Sequence, residues 1–144
     1  MMDWESLGIL YARVALSAAF LSGIASRFGL WGKNRGYGSF ENFMRYTAEV
    51  NSFMPAFTIP FLAWTATAAE LFLGIALVLG VWRRAVALCS ALLLGLFGTA
   101  MAISFGIKSP LDYSVFSASA AALLLALFQD RKLMRRRNAS CNPD

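Results

Sequence analysis

The sequence predicts an all-α integral membrane protein: a four-helix bundle with an extra amphipathic helix in its first extracytoplasmic loop. Composition is the first reason. Hydrophobic residues make up 58% of the 144 residues and charged residues 15%, whereas soluble domains hold about 45–50% and about 25%. The second reason is that the apolar residues gather into four runs of the length that crosses a bilayer. We therefore expect a single membrane domain over residues 1–144.

Four apolar runs define the predicted spans, because a bilayer core is crossed by roughly 20 helical residues. Arg13 is the one charge in the interior of the first run, with Arg27 next to its end; Glu70 is the one charge in the second run, and the third run has none. The first run follows Asp3 and Glu5 instead of basic residues, so we interpret it as a retained helix and not as a signal peptide. The predicted transmembrane helices cover residues 7–28, 57–81, 85–105 and 111–128.

The distribution of Lys and Arg predicts the orientation. With four spans, both termini lie on the same face as the turn around Trp82. Seven basic residues fall on that face and five on the other, which predicts cytoplasmic N- and C-termini. Residues 129–144 form a basic tail, expected to attract anionic lipid, and no element that reads nucleic acid is recognised. The seven residues are Arg83, Arg84, Arg131, Lys132, Arg135, Arg136 and Arg137.

The connection between the first two spans changes character at Ser39. Before it the chain is rich in glycine, and after it apolar residues recur at helical spacing from Phe40 to Met54. This pattern predicts an amphipathic helix over about residues 39–54, with Ser39 as N-cap and Pro55 beyond its end. Two interpretations stay open, a lid over helix ends and a gate for a substrate.

A second capping motif precedes the fourth span. Ser109 and Asp112 fit a capping box, with Pro110 in the first helical position. Asp112 has an alternative interpretation as a functional carboxylate at the outer mouth. Within the span, small residues at four-residue spacing predict close helix packing; they are Ser114, Ala118, Ala122 and Ala126.

Arg13 and Glu70 are predicted to face each other across the first two spans. Arg13 lies about 9 Å from the inner edge and Glu70 about 16 Å, at about 1.5 Å per residue, a difference of about one arginine side chain. A charge inside a bilayer is costly and therefore has a partner or a function. The pair is either a structural link between helices or a site that handles a proton or a ligand.

The residue inventory predicts no catalytic or metal site. The chain has no histidine and two cysteines, so the usual ligand sets for haem, zinc and iron–sulfur clusters are missing. Cys89 lies in an apolar run and Cys141 in the tail, which makes a disulfide between them improbable. No nucleophile–base pair is recognised, so we expect no catalytic activity from this chain alone.

Several segments together resemble the DoxX family. They are the early Arg of the first span, "SRFGLWG" after it, "MPAFTIPFLAW" entering the second span, "TAAELFLGIALVLGVWRRAVAL" through it, and "SPLDYSVF" before the fourth. The resemblance runs from about Leu7 to Phe128. It implies a small protein of the bacterial inner membrane, in a family of which some members are associated with quinone-linked sulfur oxidation or oxidative-stress complexes. It also maps Arg13 and Glu70 onto the polar positions of the family's first two helices.

Two departures from the family pattern are visible. Many members carry Gly and then Lys near the end of the first helix, whereas here Gly23 is followed by Ser26 and Arg27. A longer arginine-rich tail also replaces the usual short polar ending.

The resemblance implies a non-catalytic membrane subunit or anchor of a redox or oxidative-stress assembly, with a redox protein or a second copy as partner in the lipid bilayer. The alternative function is binding or transport of a small molecule, such as a quinone or another aromatic compound. Four residues are candidates for the outer mouth of such a site: Arg27, Trp31, Asp112 and Tyr113. Aromatic residues from Phe28 to Tyr46 could surround that mouth, or could anchor the chain at the membrane interface.

Overall fold

A computed structural model describes residues 4–32 and 34–141 of the chain, with side chains described as far as residue 129. All the regular elements in these ranges are helices, which confirms the predicted all-α class. A 3₁₀ turn, Ala56–Thr58, leads directly into the third helix. The helices are α1 Trp4–Arg27, α2 Phe40–Val50, α3 Ile59–Leu79, α4 Arg83–Phe105, α5 Lys108–Asp112 and α6 Val115–Cys141.

Within the described residues, three helical segments are long and apolar enough to cross a membrane. They are Trp4–Arg27, Ala56–Leu79 and Arg83–Phe105, and they match the first three predicted spans. The apolar part of α6, Val115–Gln129, is shorter. The fourth predicted span began at residue 111, but the backbone breaks at Ser114, where φ is +54°. Beyond Gln129 the helix continues to Cys141, because arginine and lysine are good helix formers and give no stop signal.

One apolar core joins the four long helices. It contains Leu16 and Phe20 of α1, Leu77 of α3, Ala87 of α4 and Ala122 of α6. The most extensive helix contacts are those of α1 with α3 and of α4 with α6. These pairs bury the faces on which small residues let two backbones approach closely.

The packing of α4 on α6 depends on small residues. Ala122 and Ala126 are buried, as the four-residue spacing predicted, whereas Ser114 lies before the helix begins. On α4, a Cβ at Gly98 would come within 2.7 Å of the Phe116 ring, so a larger residue there would have to displace the ring. The hydroxyl of Ser119 donates to the carbonyl of Ala91 at 2.7 Å and links the same two helices.

Helix α2 begins and ends on side-chain caps. The hydroxyl of Ser39 accepts from the backbone amide of Asn42 at 3.2 Å, which confirms the predicted N-cap. At the other end the side chain of Asn51 donates to the carbonyl of Thr47 at 2.9 Å. The helix is therefore shorter than predicted, since residues 51–54 turn away after Val50. A hydrogen bond of 2.6 Å from the Ser104 hydroxyl to the Val50 carbonyl attaches this end to α4.

The predicted capping box at Ser109 is wrong. Ser109 and Pro110 lie inside α5, which starts at Lys108 without any side-chain cap. The carboxylate of Asp112 pairs with the ammonium group of Lys108 one turn earlier, and not with the Ser109 amide. The prediction was wrong because the chain forms a separate short helix, α5, before the backbone breaks at Ser114.

Candidate functional site

An ion pair joins α1 to α3 inside the protein. Arg27 is the last residue of α1, and its Nη2 lies 2.6 Å from Oε1 of Glu70 in the middle of α3. Its Nη1 donates to the hydroxyl of Thr67 at 2.8 Å. Each of the two charged side chains is only 5% exposed. A pair so removed from solvent must be held by its own geometry, since desolvation of both ions is costly.

Local sequence explains why the ion pair forms at this position. Thr67 and Glu70 are three residues apart and therefore share one face of α3. The Thr67 hydroxyl donates to the Ala63 carbonyl at 2.8 Å, which leaves its oxygen free to accept from Arg27. Gly23 lies one turn before Arg27, and a Cβ there would be 3.5 Å from Oε2 of Glu70. A longer side chain at position 23 would press on the carboxylate, so glycine permits the approach of α1 to α3.

Aromatic rings cover the ion pair. The guanidinium carbon of Arg27 lies 3.8 Å from the centre of the Phe43 ring, a cation–π contact that attaches α2 to the pair. The Tyr37 ring meets Phe43 edge-on with 5.1 Å between centroids, and Phe40 lies 4.4 Å from Trp64 of α3. We call this group the aromatic cover; it consists of Phe28, Tyr37, Phe40, Phe43, Tyr46, Trp64 and Phe105.

A tight loop places Tyr37 in the aromatic cover. The hydroxyl of Ser26 accepts from the amide of Tyr37 at 2.9 Å, and the Ser26 carbonyl accepts from the amide of Gly38 at 3.1 Å. Gly36 has φ +69°, and a Cβ there would lie 2.0 Å from the Ser26 hydroxyl oxygen. Glycine at position 36 is thus required both by conformation and by space.

The two tyrosines of the aromatic cover remain neutral phenols at neutral pH. Burial raises the pKa of Tyr37 well above its usual range, and neighbouring Tyr46 raises it further, although Arg27 opposes the rise. Burial also raises the pKa of Tyr46, with smaller contributions from Tyr113 and Glu49. Both rings can therefore act as uncharged packing groups next to the ion pair.

The predicted pairing of Arg13 with Glu70 is wrong. Arg13 binds the end of α3: its Nε and Nη2 donate to the Leu77 carbonyl at 3.0 and 2.7 Å, and Nη2 also donates to the Val78 carbonyl at 3.1 Å. The last carbonyls of a helix lack partners within the helix and carry the negative end of its dipole. Arg13 therefore caps α3.

Similar depths in the bilayer predicted the pairing of Arg13 with Glu70, but backbone carbonyls at a helix end are also suitable partners for an arginine. Gly80 ends α3 with φ +70°, and a Cβ there would lie 2.4 Å from Nη2 of Arg13, so the guanidinium fits tightly against this turn. The Gly23–Arg27 and Thr67–Glu70 spacings were the signals that could have identified the true pair. Between the two arginines, the Ser17 hydroxyl donates to the Gly74 carbonyl at 2.8 Å and adds a third polar link from α1 to α3.

Of the four candidates for the outer mouth, only Arg27 takes part in the ion pair. The indole nitrogen of Trp31 donates to the Ser22 carbonyl at 3.3 Å, and Trp31 borders a shallow depression of about 280 Å³ with Ser22, Ser26 and Arg35. Asp112 forms an exposed pair with Lys108. Tyr113 is 72% exposed. Over the part of the chain that the structure describes, no group of three or more Cys, Asp or Glu side chains is placed to hold a metal ion.

The apolar helices and the internal ion pair that joins two of them are those of an all-helical membrane protein. The model of the DoxX family matches residues 8–102, a stretch that contains Arg13, Arg27 and Glu70. The chain belongs to the DoxX family, as the sequence motifs predicted. Comparisons with curated proteins and with solved structures gave no match.

Proposed function

We propose that this DoxX-family protein is a non-catalytic membrane subunit or anchor of a redox or oxidative-stress assembly. The observation that carries the proposal is the buried ion pair between Arg27 and Glu70. Both terminal nitrogens of Arg27 are engaged, and one face of its guanidinium is covered by Phe43. Charges held in this way fix helices relative to one another, as expected of a rigid scaffold.

The energetics support a structural role for the ion pair. Removing one partner of a buried pair costs roughly 3–5 kcal/mol, because the other charge stays buried without compensation. The same interaction fixes the relative positions of α1 and α3, and the Phe43 contact adds α2. A subunit that binds partners through its surface needs this fixed internal framework.

The proposed arrangement places four helices across a bacterial inner membrane, with both termini in the cytoplasm. In this arrangement α6 is the fourth span, and α2 is an amphipathic helix on the outer side. The apolar part of α6, Val115–Gln129, is about 22 Å long at 1.5 Å per residue, and the helical backbone beyond it adds length. Burial on α2 supports the amphipathic assignment: Phe43, Thr47 and Val50 are buried while Glu41 and Glu49 are exposed.

Affinity purification in mild detergent tests the proposed function. The protein is tagged at its C-terminus, purified from its own membrane, and the co-purifying proteins are quantified by mass spectrometry. We expect a redox protein in stoichiometric amount, reduced in the Glu70→Gln variant and unchanged in Glu49→Gln, which changes an exposed carboxylate of α2. Recovery of the protein alone, as monomer or homo-oligomer, would contradict the proposal.

A second candidate function is binding or transport of a quinone or another aromatic compound. The observation in its favour is Nε of Arg27, which is buried and makes no hydrogen bond to the described residues. A carbonyl oxygen of a ring held by the aromatic cover would satisfy this donor. Addition of a short-chain quinone to the protein in nanodiscs would then raise its melting temperature. Equal melting with and without quinone would exclude this candidate and leave the subunit proposal intact.

A further inference from the structure

The shallow depression of about 280 Å³ beside the last turns of α1 is lined by polar groups, and we call it the α1 depression. Ser22 and Ser26 form one wall, since residues four apart share one face of a helix. Trp31, Arg35 and Gly36, from the loop that follows α1, form the other wall. Among these five described residues only Arg35 is charged, so the lining is positive.

Hydrogen bonds hold the loop in place around the α1 depression. The indole nitrogen of Trp31 donates to the Ser22 carbonyl at 3.3 Å. On the other side, the amide of Tyr37 donates to the Ser26 hydroxyl at 2.9 Å, and the amide of Gly38 donates to the Ser26 carbonyl at 3.1 Å. Both sides of the loop are thus attached to α1, and the shape of the depression does not depend on a ligand.

The hydroxyl of Ser26 is used differently from other hydroxyls of these helices. In four cases a helical hydroxyl donates to the carbonyl four residues earlier; these are Thr47, Thr67, Ser90 and Thr99. For Ser26 that carbonyl belongs to Ser22 and already accepts from Trp31, while the Ser26 oxygen accepts from Tyr37. The Ser26 hydroxyl hydrogen therefore has no acceptor among the described residues and can be donated to a group in the α1 depression.

Two further donors border the α1 depression. The Ser22 hydroxyl and the Arg35 guanidinium line it, and neither has a hydrogen-bond partner among the described residues. Arginine presents its N–H groups as a planar fork that fits the oxygens of a phosphate. Two hydroxyl donors and one guanidinium therefore suit a group with a negative charge and several acceptor oxygens, as a phosphate has.

The surroundings of the α1 depression are those of a membrane surface. Phe28, Leu30 and Trp31 follow α1 and are 51%, 78% and 55% exposed. Exposed apolar and aromatic side chains at the end of a spanning helix lie at the level of the lipid head groups. Ala15 and Ala19 are exposed on the same face of α1 as Ser22 and provide a smooth apolar surface below the depression.

We propose that the α1 depression binds the phosphate group of one phospholipid. Arg35 and the hydroxyls of Ser22 and Ser26 donate to the phosphate oxygens, and the acyl chains lie along the exposed alanines of α1. The Glu70 carboxylate, which Gly23 adjoins, is paired with Arg27 and so does not oppose an anion here. The donors select a phosphate, and the apolar surroundings select the form of it that a lipid carries.

Lipid binding to the purified protein tests the assignment. The protein is delipidated in detergent, then titrated with phosphatidylethanolamine or with diacylglycerol of identical acyl chains, and bound lipid is counted by native mass spectrometry. Phosphatidylethanolamine has no net charge, so its preference over diacylglycerol does not report general attraction to a basic protein. We expect one phosphatidylethanolamine to bind about tenfold or more tightly than diacylglycerol. Arg35→Gln should remove about tenfold of that affinity, and Ser22→Ala about threefold.

A matched control separates the α1 depression from diffuse charge. Arg45→Gln removes an exposed arginine of α2 that does not line the depression, and it should leave lipid binding unchanged. Arg35 is exposed, so Arg35→Gln should melt at the same temperature as the unmodified protein when both are free of lipid. Three results would overturn the assignment: equal binding of the two lipids, unchanged binding in Arg35→Gln, or the same loss in Arg45→Gln as in Arg35→Gln.

Inorganic phosphate distinguishes a lipid from a free anion as the source of the phosphate. It should raise the melting temperature only at much higher concentration than phosphatidylethanolamine, because it has no acyl chains to bury. Equal affinity for the two probes, reduced in both cases by Arg35→Gln, would confirm a phosphate site but overturn its assignment to a lipid. The measurements use the isolated protein, so their outcome is independent of whether a redox partner co-purifies.

Discussion

Two arginines of α1 meet α3 in different ways. Arg27, at the C-terminal end of the helix, neutralises the Glu70 carboxylate and is almost completely buried. Arg13, about four turns earlier, donates to the terminal carbonyls Leu77 and Val78 and remains half-buried. Arg27 neutralises a full negative charge, whereas Arg13 binds carbonyl oxygens that carry the partial negative charge of a helix end. The same residue type on one helix therefore contributes unequally to stability.

The largest expected effect concerns the Arg27–Glu70 pair. Glu70→Gln and Arg27→Gln should each lower the free energy of unfolding by roughly 3–5 kcal/mol, because each leaves a buried charge without its partner. The double variant should lose less than the sum, since the interaction can be lost only once. Unfolding is followed by thermal scans in detergent, with Glu49→Gln as an exposed control.

Additive losses at these two positions would contradict a direct interaction. The complementary cycle combines Arg13→Gln with Glu70→Gln. Because Arg13 binds α3 carbonyls instead of Glu70, these two losses should add within about 0.5 kcal/mol. Coupling in this second cycle would mean that Arg13 and Glu70 interact after all.

The next largest effect is expected in the loop that positions Tyr37 of the aromatic cover. Gly36→Ala should cost about 2 kcal/mol, from backbone strain at positive φ and from overlap with Ser26. Gly32→Ala is the matched control: φ is +99° there, but a Cβ meets nothing within 4 Å. The difference between the two melting temperatures isolates the steric overlap. If Gly36→Ala and Gly32→Ala lower the melting temperature equally, Ser26 does not restrict the size of the side chain at position 36.

A smaller loss is expected at Arg13. Arg13→Gln removes the capping hydrogen bonds to Leu77 and Val78 and should cost about 1–2 kcal/mol. The loss is smaller than at Arg27 because removal of Arg13 leaves backbone carbonyls, and not a buried charge, without a partner. Arg13→Lys keeps the charge and should recover part of the loss, as measured in the same thermal scans. A loss at Arg13→Gln as large as at Glu70→Gln would break the comparison between the two arginines.

The smallest effect appears only at high pH. The pKa of Tyr37 is raised in the folded protein by burial, while a tyrosine in the unfolded chain has a pKa of about 10. Below pH 10 both states are protonated and this contribution to stability is complete. Above that pH the unfolded state loses the proton first, so stability falls. Tyr37→Phe should reduce this fall in melting temperature, while the raised pKa of Tyr46 keeps a part of it. An unchanged pH profile would contradict the burial of the Tyr37 hydroxyl.

Some parts of the fold could be predicted from the sequence and others could not. The first three spans were predicted because hydrophobic length is a property of consecutive residues. The N-cap at Ser39 was predicted for a similar reason, since a cap involves residues three apart. The start of the fourth span was not, because the break at Ser114 gives no such local signal. The end of α6 was missed because basic residues are equally compatible with a helix and with a tail.

The candidate site shows most clearly what sequence determined and what tertiary structure decided. The sequence by itself determined the family, the membrane-crossing helices and the presence of a carboxylate that needs a partner inside the second span. It did not determine which arginine is that partner. Only the packing of α1 against α3 decided this, because the register of two helices depends on contacts at Gly23, Gly74 and Gly80. These contacts join residues about 50 or more positions apart, beyond the reach of any local pattern.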